Sequence, residues 1–307
     1  MMGSTFAILA SCAAAIVLAF HFEADVPRGD VIHHHSLEPP FIHDWWQDGV
    51  PHWDIGGDAV VTNDYIRLTP QRQSRFGWIW NTQANDNHYW EAKIRFFARS
   101  KNSPGADGLA FWYVEHPHKS KEPGPLFGMP SNFKGFGVII DSYDNDHLRD
   151  GPTVALIENQ KGQDRVWDTD RDLQGTAKFR CVFDFRNTDK HDPVELNVAY
   201  YNRKVKVHIK SRRQHTETFC GEYVMEEGLP MAGYFGLTAT TGHVTDNHDV
   251  VSMYVRTLGQ PIGDPQIPIA TAAKFDHGAD QKEKEFWKEG NAQSSGSERA
   301  SGTPPPA

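Results

Sequence analysis

Between residues 37 and 258 the apolar positions recur with a period of two or in short closed runs, and no helical spacing is sustained. Residues 89–98 (YWEAKIRFFA) place Trp90, Ala92, Ile94 and Phe96 on one face and Glu91, Lys93 and Arg95 on the other, the signature of a half-buried strand. Two runs, 109–114 (LAFWYV) and 136–140 (FGVII), are apolar throughout and bounded by glycine, which predicts strands covered on both faces. Residues 179–186, 194–201, 204–210, 234–240 and 250–256 extend the series, with Asn202-Arg203 as a hairpin turn. Regular strands separated by Gly, Pro and Asn/Asp turns predict an all-β antiparallel sandwich forming one domain over 36–259.

The two ends read differently. Residues 6–20 (FAILASCAAAIVLAF) form an apolar run followed by a polar switch at His21 and a small residue at Ala24. This predicts a signal peptide over 1–24, although no Lys or Arg precedes the run. Residues 260–307 are rich in Pro, Gly, Ser, Gln and Lys/Glu, a composition that buries too little apolar surface to offset its ordering entropy. A low-complexity, largely disordered tail is expected there, with a short helix at 280–289. Its longest mainly apolar stretch, 267–273, contains a proline and is too short to span a membrane, so no transmembrane anchor is expected in this chain.

A formal charge of -9, with no block of Lys or Arg, argues against a nucleic-acid partner. Cys12 falls within the expected signal peptide, leaving Cys181 and Cys220. Two cysteines in an oxidising compartment pair, whereas in the cytosol they would remain free thiols. His33-His34-His35 reads as a flexible tract, Trp78 and Trp80 as packing residues, and His248 as a structural hydrogen-bonding group at a strand entrance.

Chemistry concentrates in three places. Asp141-Ser-Tyr-Asp-Asn-Asp146 directly follows the buried run 136–140. In an extended segment, Asp141, the Tyr143 carbonyl and Asn145 would project the same way, as oxygen ligands suited to Ca2+. A second acidic source is Trp167-Asp-Thr-Asp-Arg-Asp172. Asp and Asn between strands serve equally well as turn formers. Gly105-Ala-Asp-Gly108 leads into the run 109–114 and would hold Asp107 as a fixed acceptor for sugar hydroxyls. Thr240-Thr-Gly-His-Val-Thr-Asp-Asn-His248 is a glycine-containing loop between two strands.

Together these stretches resemble the L-type, legume-like lectins of the early secretory pathway, the group that includes the vesicular integral-membrane lectin and the lectin of the ER–Golgi intermediate compartment. The likeness runs from His35 to about Leu258. It is carried by Val50-Pro-His-Trp-Asp54, Tyr65-Ile-Arg-Leu-Thr-Pro70, Ala106-Asp-Gly-Leu-Ala-Phe-Trp-Tyr113, Gly124-Pro-Leu-Phe-Gly128, Asp141–Asp146, Asp184-Phe-Arg-Asn187 and the loop from Thr241 to Val250.

The resemblance implies a concanavalin A-like, two-sheet jelly-roll sandwich with a sugar site beside a bound Ca2+. It implies Asp141, Tyr143, Asn145 and Asp172 as the metal ligands. Ser74, Asp107, Asn145, Thr169, Gly242, His243 and Val244 would be the carbohydrate-binding positions, and Cys181–Cys220 the disulfide. The implied ligands are high-mannose N-glycans on glycoprotein cargo, bound by a cargo receptor or sorting lectin in the lumen of the ER, intermediate compartment and Golgi. Family members usually continue into a membrane anchor, so this chain is expected to be soluble or truncated.

Two positions depart from the family pattern. Thr169 stands where the family has a sugar-contacting histidine, and the loop reads Gly242-His243-Val244 in place of Gly-Gly-Leu or Gly-Asp-Leu. A lost sugar hydrogen bond would cost about 0.5–1.5 kcal/mol, so a scaffold without sugar binding is the main alternative. A glycoside hydrolase ranks lower. Retaining hydrolysis needs a close pair of carboxyl groups, and the pattern Glu-x-Asp-x-x-Glu does not occur in 30–259. The chain is therefore read as a binding protein and not an enzyme.

Overall fold

The computed structural model describes residues 26–42, 49–101, 104–148, 151–211 and 217–259. The expected signal peptide and the tail with its short helix lie outside these residues. Fifteen strands are described. They are β1 (Arg28–Val31), β2 (Trp53–Gly57), β3 (Val60–Val61), β4 (Ile66–Thr69), β5 (Arg75–Asn81), β6 (Trp90–Arg99), β7 (Gly108–Val114) and β8 (Gly135–Asp141). They continue as β9 (Thr153–Asn159), β10 (Phe179–Val182), β11 (Val194–Tyr201), β12 (Lys204–Lys210), β13 (Thr218–Val224), β14 (Tyr234–Thr241) and β15 (Asn247–Leu258). Two single-turn 3-10 helices accompany them, η1 (His33–His35) and η2 (Thr169–Arg171). No helix among the described residues is long and apolar enough to cross a membrane.

The strands build the expected antiparallel sandwich. An eight-stranded sheet runs β13-β12-β11-β6-β15-β4-β3, with β1 also on β15, and a seven-stranded sheet runs β10-β9-β8-β7-β14-β5-β2. Because Arg28 pairs with Leu258, the larger sheet begins ahead of residue 36.

Alternation decides what each face meets. The larger sheet turns Trp90, Ala92, Ile94 and Phe96 inward. Glu91, expected on the solvated face, is 2% exposed because Arg28 and Asn197 close over it. The seven-stranded sheet is covered twice. Leu109, Phe111, Tyr113, Phe136, Val138 and Ile140 face the other sheet. Trp78, Trp80, Trp112 and Ile139 face outward beneath Phe127, Met129, Phe133, Trp167 and Leu173 from two long loops. This double cover explains the unbroken apolar runs. Each such large side chain contributes about 1.5–3 kcal/mol when fully buried.

Local turn chemistry also matches. Asn202 (φ 48°) and Arg203 (φ 60°) are both left-handed between β11 and β12, as a type I′ hairpin requires. The disulfide Cys181–Cys220 forms, joining β10 at the edge of one sheet to β13 at the edge of the other.

Two readings need correction. Residues 179–186 do not form one strand, because β10 ends at Val182. Phe183 and Phe185 still alternate into the core, but the segment is crossing between sheets. It starts paired with β9 and ends with the Asn187 N–H donating to Ala98 O of β6 (3.0 Å). Alternation reports burial and is blind to which strand supplies the backbone partner. Nor is the histidine tract flexible: it forms η1, and fully buried His35 donates from Nδ1 to Asn81 Oδ1 (2.9 Å). Burial pushes the His35 imidazole down to about 4.

Candidate functional site

The site grows from one end of the seven-stranded sheet, where apolar strands give way to polar loops. Gly108 opens β7 directly opposite Asp141, which closes β8. Asp107 and Asp141 therefore leave the sheet side by side. Ser142 ties their loops together, donating to Asp107 O from its N–H (2.9 Å) and its hydroxyl (3.0 Å). The Asp107 N–H donates to Thr240 O on β14 (3.2 Å).

Beyond Asp141 the chain bends. The Tyr143 N–H donates to Asp141 Oδ1 (3.1 Å), closing an Asx turn. The Asn145 N–H donates to Asp172 Oδ1 (3.0 Å), and Asp172, left-handed after η2, leaves Oδ2 buried with no hydrogen-bond partner. Asp107, Asp141, Tyr143, Asn145 and Thr169 come together around a cavity of about 130 Å³, with Phe127 and Leu173 as its apolar wall.

The electrostatics oppose this arrangement in the bare protein. Burial pushes Asp141 well above the usual carboxylate range, and the nearby charges of Asp172 and Asp107 add to that, against the Tyr143 N–H bond. Burial also raises Asp172, with Asp146 adding and the Asn145 N–H opposing. Asp107 is raised by burial, partly offset by bonds from Thr240 and Gly242. A divalent cation would relieve this repulsion. The set of carboxylates, an amide and a backbone carbonyl is all oxygen, as Ca2+ prefers, and the buried orphan oxygen of Asp172 is a ready ligand. These residues fit the ion.

Two further acids join them. Ligand oxygens of Asp144, Asp146 and Asp172 all lie within 4.8 Å of one another. Sequence reasoning missed Asp144 and Asp146 because it treated 141–146 as extended, which sends alternate side chains apart. The loop instead bends at the turn that Tyr143 closes on Asp141, and the Asn145 N–H bond to Asp172 brings them back toward that residue.

On the other side of Asp107 lies a larger groove of about 710 Å³, lined by Ser74, Arg75, Asp58, Lys121 and Glu122 among others. Ser74, at φ 54°, donates its N–H to Gly242 O (3.3 Å). The Arg75 N–H donates to Thr241 Oγ1 (2.9 Å), and that hydroxyl donates to Arg72 O (2.6 Å). The Ser74 and Gly242 loops are thus one unit. Gly242 packs so closely that a Cβ there would meet Asp107 Oδ1 at 2.9 Å. His243 and Val244 line neither cavity; His243 is exposed, and its carbonyl accepts from Gln73 Nε2 (2.9 Å).

Known proteins share this architecture. The rat protein ERGIC-53 is 32% identical over 250 residues, covering 80% of this chain and 46% of its own length. The vesicular integral-membrane protein VIP36 of Canis lupus familiaris is 32% identical over 237 residues, 75% of this chain and 64% of its own length. The chain thus spans less than two thirds of either relative. The solved exoplasmic/lumenal domain of VIP36 in its Ca2+/Man2-bound form matches with a TM-score of 0.66 and 30% identity, over 78% of this chain and 92% of that one. The profile of the legume-like lectin family matches residues 28–263. Sandwich, acidic loop and sequence agree: this chain belongs to the legume-like lectin family.

Proposed function

We propose that the protein is a Ca2+-dependent lectin that binds mannose residues of high-mannose N-glycans and serves as a sorting or cargo lectin in the lumen of the early secretory pathway. One observation carries this reading: Asp107, Asp141, Tyr143, Asn145 and Thr169 line a single cavity beside Asp172. Asp141, Asp172, Asn145 and the Tyr143 carbonyl would hold the ion. Bound there, Ca2+ supplies positive charge that neutralises the clustered carboxylates and fixes the 141–146 loop.

The chain's own groups then do the recognition. Asp107 is aimed by Thr240 and Gly242 and accepts hydrogen bonds from sugar hydroxyls. The Asn145 side chain reaches the same cavity, Phe127 supplies an apolar face, and Thr169 offers a hydroxyl. A hydroxyl has a shorter reach than the imidazole that the family carries at that position. The VIP36 domain is known in Ca2+/Man-, Ca2+/Man2- and Ca2+/Man3GlcNAc-bound forms, which supports the same ligand class here. No catalytic step is assigned to these residues.

A glycan panel probed with the purified protein, in Ca2+ and in excess EDTA, tests the reading. Calcium-dependent binding of high-mannose structures is expected. A protein that Ca2+ stabilises but that binds no glycan would instead be the scaffold, and no response to Ca2+ would sink the metal assignment.

A further inference from the structure

Two stretches that carry the family likeness have no part in the sugar or metal assignments: Asp184-Phe-Arg-Asn187 and the end of the loop that follows Gly242. The fold brings them together. Arg186, where the chain crosses between sheets, donates from Nε to Asp246 Oδ2 and from Nη2 to Asp246 Oδ1, both at 2.8 Å and across 60 residues of sequence. Asp246 is fully buried and the Arg186 side chain is only 12% exposed. Neither is among the residues that line the two cavities. We infer, on the lectin reading, that this ion pair is a positioning device for sugar binding: Arg186, through Asp246, sets where the Asp107 carboxylate stands.

The link is the backbone just ahead of Asp107. The Asp246 N–H donates to Ala106 O (3.0 Å). Gly105 lies directly against the pair, and a Cβ there would run into Arg186 Nη2 and Asp246 Oδ2. The other side of Asp107 is held within its own sheet, its N–H by Thr240 O (3.2 Å) and its carbonyl by Ser142. Strands β14 and β8 therefore fix one side of the acceptor, and Asp246 fixes the other. Arg186 is anchored in turn on the larger sheet. The Asn187 N–H donates to Ala98 O of β6 (3.0 Å), and Arg186 Nη2 also donates to Ser100 Oγ (3.2 Å). A loop that leaves the seven-stranded sheet is thus placed by reference to the eight-stranded one.

Stability alone does not call for such a pair. Taking two charges out of water costs about as much as their attraction returns, and apolar residues of similar volume often stabilise a core as well or better. A forked guanidinium–carboxylate pair fixes direction as well as distance. The Asp246 backbone cannot shift without misaligning two charged hydrogen bonds, so the N–H it offers to Ala106 O is fixed too. Sugar recognition needs that precision, because a carboxylate displaced by about 1 Å leaves the narrow range of hydrogen-bond distances.

Three variants of the full chain test this by calorimetric titration with Ca2+ and, at saturating Ca2+, with α-linked mannobiose; urea unfolding gives their stabilities. Arg186→Lys keeps the charge and loses the fork. Arg186→Met/Asp246→Leu puts apolar bulk in place of the pair and leaves no buried charge behind. Gly105→Ala pushes on the pair from the Asp107 side. Each should lower mannobiose affinity about five- to ten-fold, the effect of a misaligned hydrogen bond to a charged group, while Ca2+ affinity stays within about two-fold. The apolar double variant should do so with a urea midpoint no lower than that of the wild type, a split that a pair serving stability alone would not produce. Should the double variant not fold, the other two decide on the same affinities. Wild-type mannobiose affinity in Arg186→Lys and Gly105→Ala overturns the positioning role. An equal loss of Ca2+ and mannobiose affinity also overturns it, because the effect would then run through the metal loop. A wild type that binds Ca2+ but no mannobiose instead sinks the lectin reading, and the positioning role with it.

Discussion

Two buried imidazoles should make the fold acid-sensitive. His248 is fully buried, its Nδ1 paired with Thr69 Oγ1 (2.7 Å) and its Nε2 without a partner. Burial pushes it, like His35, from 6.5 down to about 4. The unfolded chain therefore binds more protons than the folded one between pH 6.5 and 4. Stability is full above pH 6.5 and falls as pH drops through that window. At pH 5 each imidazole costs roughly 2 kcal/mol relative to pH 7.5, and below pH 4 the loss levels near 3 kcal/mol. The raised carboxylates Asp107, Asp141 and Asp172 work in the opposite sense, so the histidine effect is isolated with a variant. His248→Asn places an amide near the Nδ1 position, where it can still bond Thr69, and does not titrate. The cavity it leaves costs the same at both pH values and cancels in the difference. Urea unfolding in EDTA at pH 7.5 and 5.0 should show the wild type losing roughly 2 kcal/mol more than the variant. An equal loss in the two proteins would refute the claim that His248 is held neutral by burial.

Removing the metal contact and the sugar contact should have separable effects. Asp172→Ala should abolish the rise in melting temperature on adding Ca2+, which for a wild type at one hundred times Kd corresponds to about 2.7 kcal/mol; scanning calorimetry reads it. Gly242→Ala would put a methyl group 2.9 Å from Asp107 Oδ1. Mannose affinity should fall about ten-fold, as when a hydrogen bond to a charged group is misaligned, while the Ca2+-induced thermal shift stays intact. Breaking the Cys181–Cys220 bridge, which closes a separation of 39 residues, with a double Cys→Ser variant should cost up to about 4 kcal/mol in urea unfolding. A variant as stable as wild type would show that the bridge adds nothing to the sandwich.

The local periods of the chain suffice for the sandwich itself. Whether a strand is half-buried or covered twice is written in its own residues, since side chains alternate across a sheet whatever it pairs with. The runs 109–114 and 136–140 are apolar throughout because loops carrying Phe127, Phe133 and Trp167 cover the outer face. Asn202-Arg203 is legible for the same reason, its turn being settled within two residues. The acidic loop after β8 was visible as a run of ligand-type residues.

Only the tertiary structure decides how these pieces meet. Asp107, Asp141, Thr169 and Thr240 line one cavity although they belong to four separate parts of the chain. Their convergence depends on sheet order, which places β7 between β8 and β14. Buried His35 finds its hydrogen-bond partner in Asn81, 46 residues away, and β10 ends at Val182 where the chain crosses between sheets. Asp144 and Asp146 join Asp172 through the bend of a loop that sequence spacing renders as straight. A pattern along the chain records which side chains avoid water. It does not record which distant backbone or carboxylate will stand opposite them, because those energies arise only once the two sheets have closed.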